Sequence, residues 1–273
     1  TYILPSDVEA VDFHPSNRAF AVASGSKIYL YHIGRKKPSH TYVGHTKTVK
    51  SIKFNKKGDR MLSGGRDGTA IYWDVWNHKI EKVLKAHKRD ILSFCYNSTE
   101  DLLITSSWDR TINIWDTLGN NIRTLEGHQN KIYSISSSSV SEKLLSAGLD
   151  GSIRLWDITT GEIFKKWNTN NSVFAIQFIP NSDKLFIVAG ADNQAKLWNT
   201  DGDILQVFEQ GSDVIDIDIA SDMSYVLIGT EEEGAHMFYT LEGFLKSKHF
   251  EGITTLDKIK FNLIEIRVLE VSS

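Results

Sequence analysis

A single cysteine in 273 residues excludes a disulfide scaffold and any zinc site built on cysteines. Only four prolines are present, so the chain is neither collagen-like nor proline-rich. No run of 18 apolar residues occurs, and no transmembrane helix is expected. Thr1-Tyr2-Ile3-Leu4-Pro5 lacks the basic start and apolar stretch of a secretory signal. With the lone cysteine, this points to the cytoplasm or nucleus. The chain also starts without Met, so it is expected to be one domain, residues 1–273, of a longer protein. Charge of one sign is scarce too. The net value is −3 with 41 % hydrophobic residues, which excludes a charged disordered tail.

Catalytic signatures are also missing. There is no G-x-S-x-G elbow and no H-E-x-x-H. Ser63-Gly64-Gly65-Arg66-Asp67-Gly68 is not followed by Gly-Lys-Ser/Thr, and it reads as a strand turn rather than a phosphate loop. Cys95 lies within a strand-like run and reads as a packed thiol. No cofactor, metal or small-molecule substrate is expected, nor an enzyme.

What the chain does have is tryptophan. Trp73, Trp115, Trp156 and Trp198 stand 42, 41 and 42 residues apart. Tyr31 and Phe238 extend the same beat on either side. His45, His87 and His128 each precede a Trp by 28 residues. Asp67, Asp109 and Asp150 precede it by six, and Ser63, Thr105 and Ser146 by ten. A period of this length marks a repeat architecture. Within one period lie four β-rich runs, Val49–Phe54, Arg60–Ser63, Ala70–Trp73 and Lys79–Leu84, separated by turn residues. Four antiparallel strands per period predict a radial array of small sheets, each supported by its neighbours.

The residues Gly44-His45 through Trp73-Asp74, and their copies, resemble WD repeats of the β-propeller family. The resemblance implies an all-β propeller. Six blades are expected at about 7–43, 46–86, 88–127, 129–168, 171–210 and 212–250. A seventh is expected from residues 253–273, with Thr1–Leu4 as its outer strand. A six-bladed ring with a tail is the alternative.

The resemblance also implies side-chain networks. The sets are His45-Ser63-Asp67-Trp73, His87-Thr105-Asp109-Trp115 and His128-Ser146-Asp150-Trp156. Each would be structural rather than a hydrolase triad, because it recurs three times with Trp at fixed spacing. Blade five departs from the pattern with Asn170 and Val188, and blade six with Gln210, Ile228 and Glu232. Softer blades are expected there.

Function is then expected on the surface. The resemblance implies that the His and Asp loops share one rim and that this rim is the candidate partner face. Its variable positions are Arg66, Lys50, Leu92, Trp108, Lys131, Tyr133 and Leu149, with an exposed aromatic cluster around Trp108 and Tyr133. Trp76 and Trp167 lie off the beat, and a covering role is expected for both. Charge is divided along the chain. Residues 1–136 hold 20 basic and 13 acidic residues, net +7, and residues 137–273 hold 11 and 21, net −10. The expected role is a protein-interaction scaffold within a multiprotein assembly. A reader of a short or modified peptide is one alternative. An RNA-associated subunit using the basic half is another, less favoured one.

Overall fold

The computed structural model describes residues 6–85, 87–220, 223–232, 234–239 and 247–249. All regular elements among them are β-strands, arranged as six four-stranded antiparallel sheets. Blade one is β1 (Val8–Phe13), β2 (Ala19–Ser24), β3 (Lys27–His32) and β4 (His40–Val43). Blade two is β5 (Val49–Phe54), β6 (Arg60–Gly65), β7 (Thr69–Asp74) and β8 (Lys79–Lys85). Blade three is β9 (Ile91–Tyr96), β10 (Leu102–Ser107), β11 (Ile112–Asp116) and β12 (Asn121–Leu125). Blade four is β13 (Ile132–Ser137), β14 (Lys143–Gly148), β15 (Ser152–Asp157) and β16 (Ile163–Asn168). Blade five is β17 (Val173–Phe178), β18 (Leu185–Gly190), β19 (Gln194–Asn199) and β20 (Ile204–Glu209). Blade six is β21 (Val214–Ile219), β22 (Tyr225–Thr230), β23 (Gly234–Tyr239) and β24 (Ser247–His249).

Each blade is a simple up-and-down meander with its first strand innermost. Inner strands of consecutive blades pack in order, from β1 on β5 through to β17 on β21. They surround a channel of about 670 Å³ lined by residues from all six inner strands. Among the described residues, no comparable packing joins β21 to β1. The described blades therefore number six, the count of the alternative reading, rather than seven. Residues 1–4 and 253–273, assigned to a seventh blade, lie outside the described residues.

The core consists of sandwiches between blades. Ala10, Ala21, Ile28 and Tyr42 of blade one meet Ile52, Met61, Ile71 and Trp73 of blade two. Ile104, Ile112 and Ile114 of blade three meet Ile135, Leu144 and Trp156 of blade four. Strand alternation puts successive residues on opposite faces, so one blade serves two cores. Leu62, Tyr72 and Leu84 of blade two accordingly face Ile91, Phe94 and Trp115 of blade three. Burying each such side chain contributes about 1.5–3 kcal/mol, and no blade could collect this alone.

One irregularity repeats. The pairing of each inner strand with its neighbour slips at the strand's second residue. Those residues are Glu9, Lys50, Leu92, Tyr133, Phe174 and Ile215. A β-bulge adds one residue to a strand and re-aims its side chain. Here it does so once per blade, at one end of the channel.

Candidate interaction surface

The His and Asp loops lie at the end of the barrel where the inner strands begin. The loop before β5 carries His45, and the turn between β6 and β7 carries Asp67. Arg66 N–H donates to the Thr48 carbonyl at 2.8 Å and ties the two loops together. In blade two, Trp73 Nε1–H donates to Ser63 Oγ at 2.8 Å. Ser63 Oγ lies 2.7 Å from His45 Nε2. His45 Nδ1 lies 3.0 Å from Asp67 Oδ2. The Asp67 carboxylate can only accept, so the imidazole proton sits on Nδ1 and the bare Nε2 accepts from the Ser63 hydroxyl. The neutral imidazole then donates from Nδ1 to the carboxylate.

Asp67 also accepts the backbone N–H groups of Thr46 and Thr69 and the Thr69 hydroxyl. Burial alone would raise its pKa. The Thr69 and Thr46 hydrogen bonds and His45 outweigh this and bring it down to about 2. Burial lowers the His45 pKa, against the pull of Asp67, and keeps the ring neutral.

Blades three and four repeat this geometry. Trp115 Nε1–H donates to Thr105 Oγ1 at 3.1 Å, and His87 bridges Thr105 and Asp109 at 2.9 and 3.0 Å. Trp156 Nε1–H donates to Ser146 Oγ at 2.8 Å, and His128 bridges Ser146 and Asp150 at 2.7 and 3.0 Å. Hydrogen bonds hold the Asp109 and Asp150 carboxyls below the ordinary range, although burial opposes them. Each set has a fifth member that sequence reasoning missed. Thr69, Thr111 and Ser152, two residues beyond each Asp, donate hydroxyls to its carboxylate. A hydroxyl residue recurring at Asp plus two was visible in the sequence.

Blade five shows what the departures do. With Val188 in place of the hydroxyl, the buried Trp198 Nε1 has no hydrogen-bond partner. With Asn170 in place of the histidine, Asp192 turns to Lys196 Nζ at 2.5 Å. Lys196 lies on β19, where blade two carries the apolar Ile71.

The candidate surface residues are placed unevenly. Arg66 is exposed and lies 3.6 Å from Asp90. Lys50 is half-buried and ion-paired with Glu9 of blade one. Leu92 is buried, 9 % exposed, and lines the channel, so it does not belong to an exposed cluster. The position five residues after each His is the bulge residue of an inner strand rather than a loop tip. Tyr133 meets Phe174 edge-on at 5.4 Å, and both are half-buried. Leu149 is half-buried, its N–H donating to the Lys131 carbonyl. Trp108 is half-buried too, with Lys131 Nζ 3.4 Å from its ring centre. A cation thus covers the indole that was expected to be open.

The six bulge residues divide by chemistry. Glu9 and Lys50 are charged, whereas Leu92, Tyr133, Phe174 and Ile215 are apolar. Phe174 and Ile215 escaped the sequence reading, although each lies 41 residues beyond the last. Trp167 packs on Phe186 at 5.6 Å, in a covering role. Trp76 does not cover anything in this way: it is 68 % exposed, in the turn between β7 and β8.

The sequence profile described as "WD domain, G-beta repeat" matches residues 36–74, 78–116, 119–157 and 161–199. A guanine nucleotide-binding protein subunit beta-like protein of Encephalitozoon cuniculi is 35 % identical over 77 residues, 28 % of this chain and 23 % of that protein. COMPASS component SWD3 of Saccharomyces cerevisiae is 32 % identical over 88 residues, 32 % of this chain and 28 % of that protein. THO complex subunit 3 of Arabidopsis thaliana is 34 % identical over 83 residues, 29 % of this chain and 26 % of that protein. The matched stretch thus spans about a quarter of the length of these relatives.

Proposed function

The chain belongs to the WD domain, G-beta repeat family, and from that premise we propose that it is a non-enzymatic interaction scaffold, one rigid subunit of a multiprotein assembly. The observation that carries the reading is the ring of bulge residues at the channel mouth. Three successive blades, four to six, present Tyr133, Phe174 and Ile215 there, with Trp108, Lys131 and Leu149 on the adjoining turns. Aromatic side chains such as Trp108, Tyr133 and Phe174 are of the types enriched at interfaces. The networks beneath the turns of blades three and four keep that part of the surface preorganised, which lowers the entropy lost on binding. The COMPASS and THO relatives are, by their names, parts of complexes, which supports the class of role.

The partner expected here is a protein segment. Tyr133→Ala/Phe174→Ala should reduce its recovery in affinity purification at least tenfold while leaving the circular dichroism unchanged. Undiminished recovery by the folded variant would overturn the reading. A second reading, a reader of a short or modified peptide, draws on the same mouth, because the Trp108–Lys131 pair offers an aromatic and a cationic contact at one point. Binding of the purified chain to individual peptides on an array would favour it over a broad scaffold contact.

A further inference from the structure

The opposite end of the propeller has a different character. In each meander the turns from first to second strand and from third to fourth strand lie away from the His and Asp loops. In blades one and two those turns carry Arg18, Arg35, Lys36, Lys37, Lys56 and Lys57, all exposed. They are joined into one patch. The Ile33 N–H donates to the Arg18 carbonyl, linking the two turns of blade one. The Val75 N–H donates to the Asp59 carbonyl, linking the two turns of blade two. His14 lies 3.0 Å from the Gly58 carbonyl and bridges the blades, and His40 stacks on His78 at 4.0 Å.

Acidic groups near the patch are engaged locally. Asp59 accepts from Asn55, Asp74 from Asn77, and the Glu100 carboxylate from the Lys56 backbone. Trp76 stands on the third-to-fourth-strand turn of blade two at this same end, with His14 of blade one set edge-on to it at 6.4 Å. His14 is fixed from both sides, by Gly58 and by Ser16, so Trp76 has a stationary neighbour and an open surface.

We propose that this face of blades one and two binds single-stranded nucleic acid, the cations tracking phosphates and the Trp76 ring stacking on a base. A row of cations alone would suit any polyanion. The exposed indole among them selects the ligand that offers flat π-faces along a phosphate backbone. An acidic peptide supplies the charge but leaves the indole unused. The proposal is independent of the partner face described above, because the two surfaces lie at opposite ends of the strands.

The test is fluorescence anisotropy of a labelled oligouridine against the whole chain, with a poly-glutamate peptide as the competing class. Binding should weaken with salt at a log–log slope no steeper than about −4, the limit for six phosphate contacts on a single strand. Trp76→Ala, which leaves the charge unchanged, should weaken oligouridine binding about fivefold or more. Lys36→Glu/Lys37→Glu should nearly abolish it. Lys88→Glu/Arg89→Glu makes the same charge change at the other end and should have a much smaller effect. All these side chains are on the surface, and circular dichroism checks that each variant is folded. No binding at low salt would overturn the proposal. So would equal losses from both charge-reversal pairs, or poly-glutamate binding as tight as oligouridine with Trp76→Ala silent for both.

Discussion

Ser146→Ala isolates the worth of one hydroxyl in a blade interior. Ser146 is fully buried, and its partners Trp156 and His128 are 2 % and 5 % exposed. The substitution removes a single oxygen, so the fold has no reason to rearrange. It leaves the Trp156 N–H without an acceptor and His128 Nε2 without a donor. Each orphaned buried polar group costs about 1–3 kcal/mol. The expected loss is therefore about 2–6 kcal/mol, a large part of the stability of an ordinary domain. Adding His128→Leu removes one of the two orphans, so the double variant should be less destabilised than the sum of the singles.

Blade five supplies the reverse experiment. There the buried Trp198 N–H already lacks an acceptor beside Val188. Val188→Ser should restore one while removing apolar atoms, and the two effects of about 1–2 kcal/mol each should nearly cancel. Urea unfolding followed by far-UV circular dichroism measures both, with hydrogen exchange in blade four as a local check. A Ser146→Ala loss below about 0.5 kcal/mol would refute the reasoning, because it would mean that the network holds nothing in place.

Three further outcomes are expected. Stability should fall on acidification: Asp67 titrates at about 2 when folded against an ordinary 3.8, and the lowered His45 pKa acts in the same direction from 6.5 downward. The unfolded chain binds more protons in both cases, so this stabilisation is complete above about pH 6.5 and is lost toward pH 2, as thermal melts across that range would show. Cys95 is buried and its thiol is pushed up to about 11 by burial, so a maleimide should label it only after unfolding, and rapid labelling of the native chain would contradict its placement. Gly58→Ala should destabilise blades one and two by more than about 1 kcal/mol, because Gly58 has φ +76° and a Cβ there would lie 2.2 Å from His14 Nε2. Hydrogen exchange confined to those blades would locate the damage.

Much of the architecture was legible because it repeats. One blade cannot bury its faces alone, so each must present the same shape to the next, and the same residue types recur at one spacing. The strands at Val49–Phe54 and Lys79–Lys85 follow from that beat and from the turn residues between them. Trp, Ser, His and Asp stand out for the same reason, since each can act only with its companions at fixed offsets. The surface was less legible, because nothing there has to repeat. Trp76 and Trp167 both lie off the beat, yet one is open to solvent and the other packs on Phe186.

Sequence by itself therefore determined the repeat, the spans of the six described blades, the family and the division of charge. Only the tertiary structure decided which side chains stand at the channel mouth and which are buried. The bulge that turns Leu92 into the channel and sets Tyr133 against Phe174 is a matter of strand pairing, and pairing is a property of two strands rather than of either alone. Lys131 lies over Trp108 because the start of blade four comes beside a turn of blade three. The basic turns of blades one and two form one patch because the fold brings loops some 40 residues apart onto the same end of the barrel.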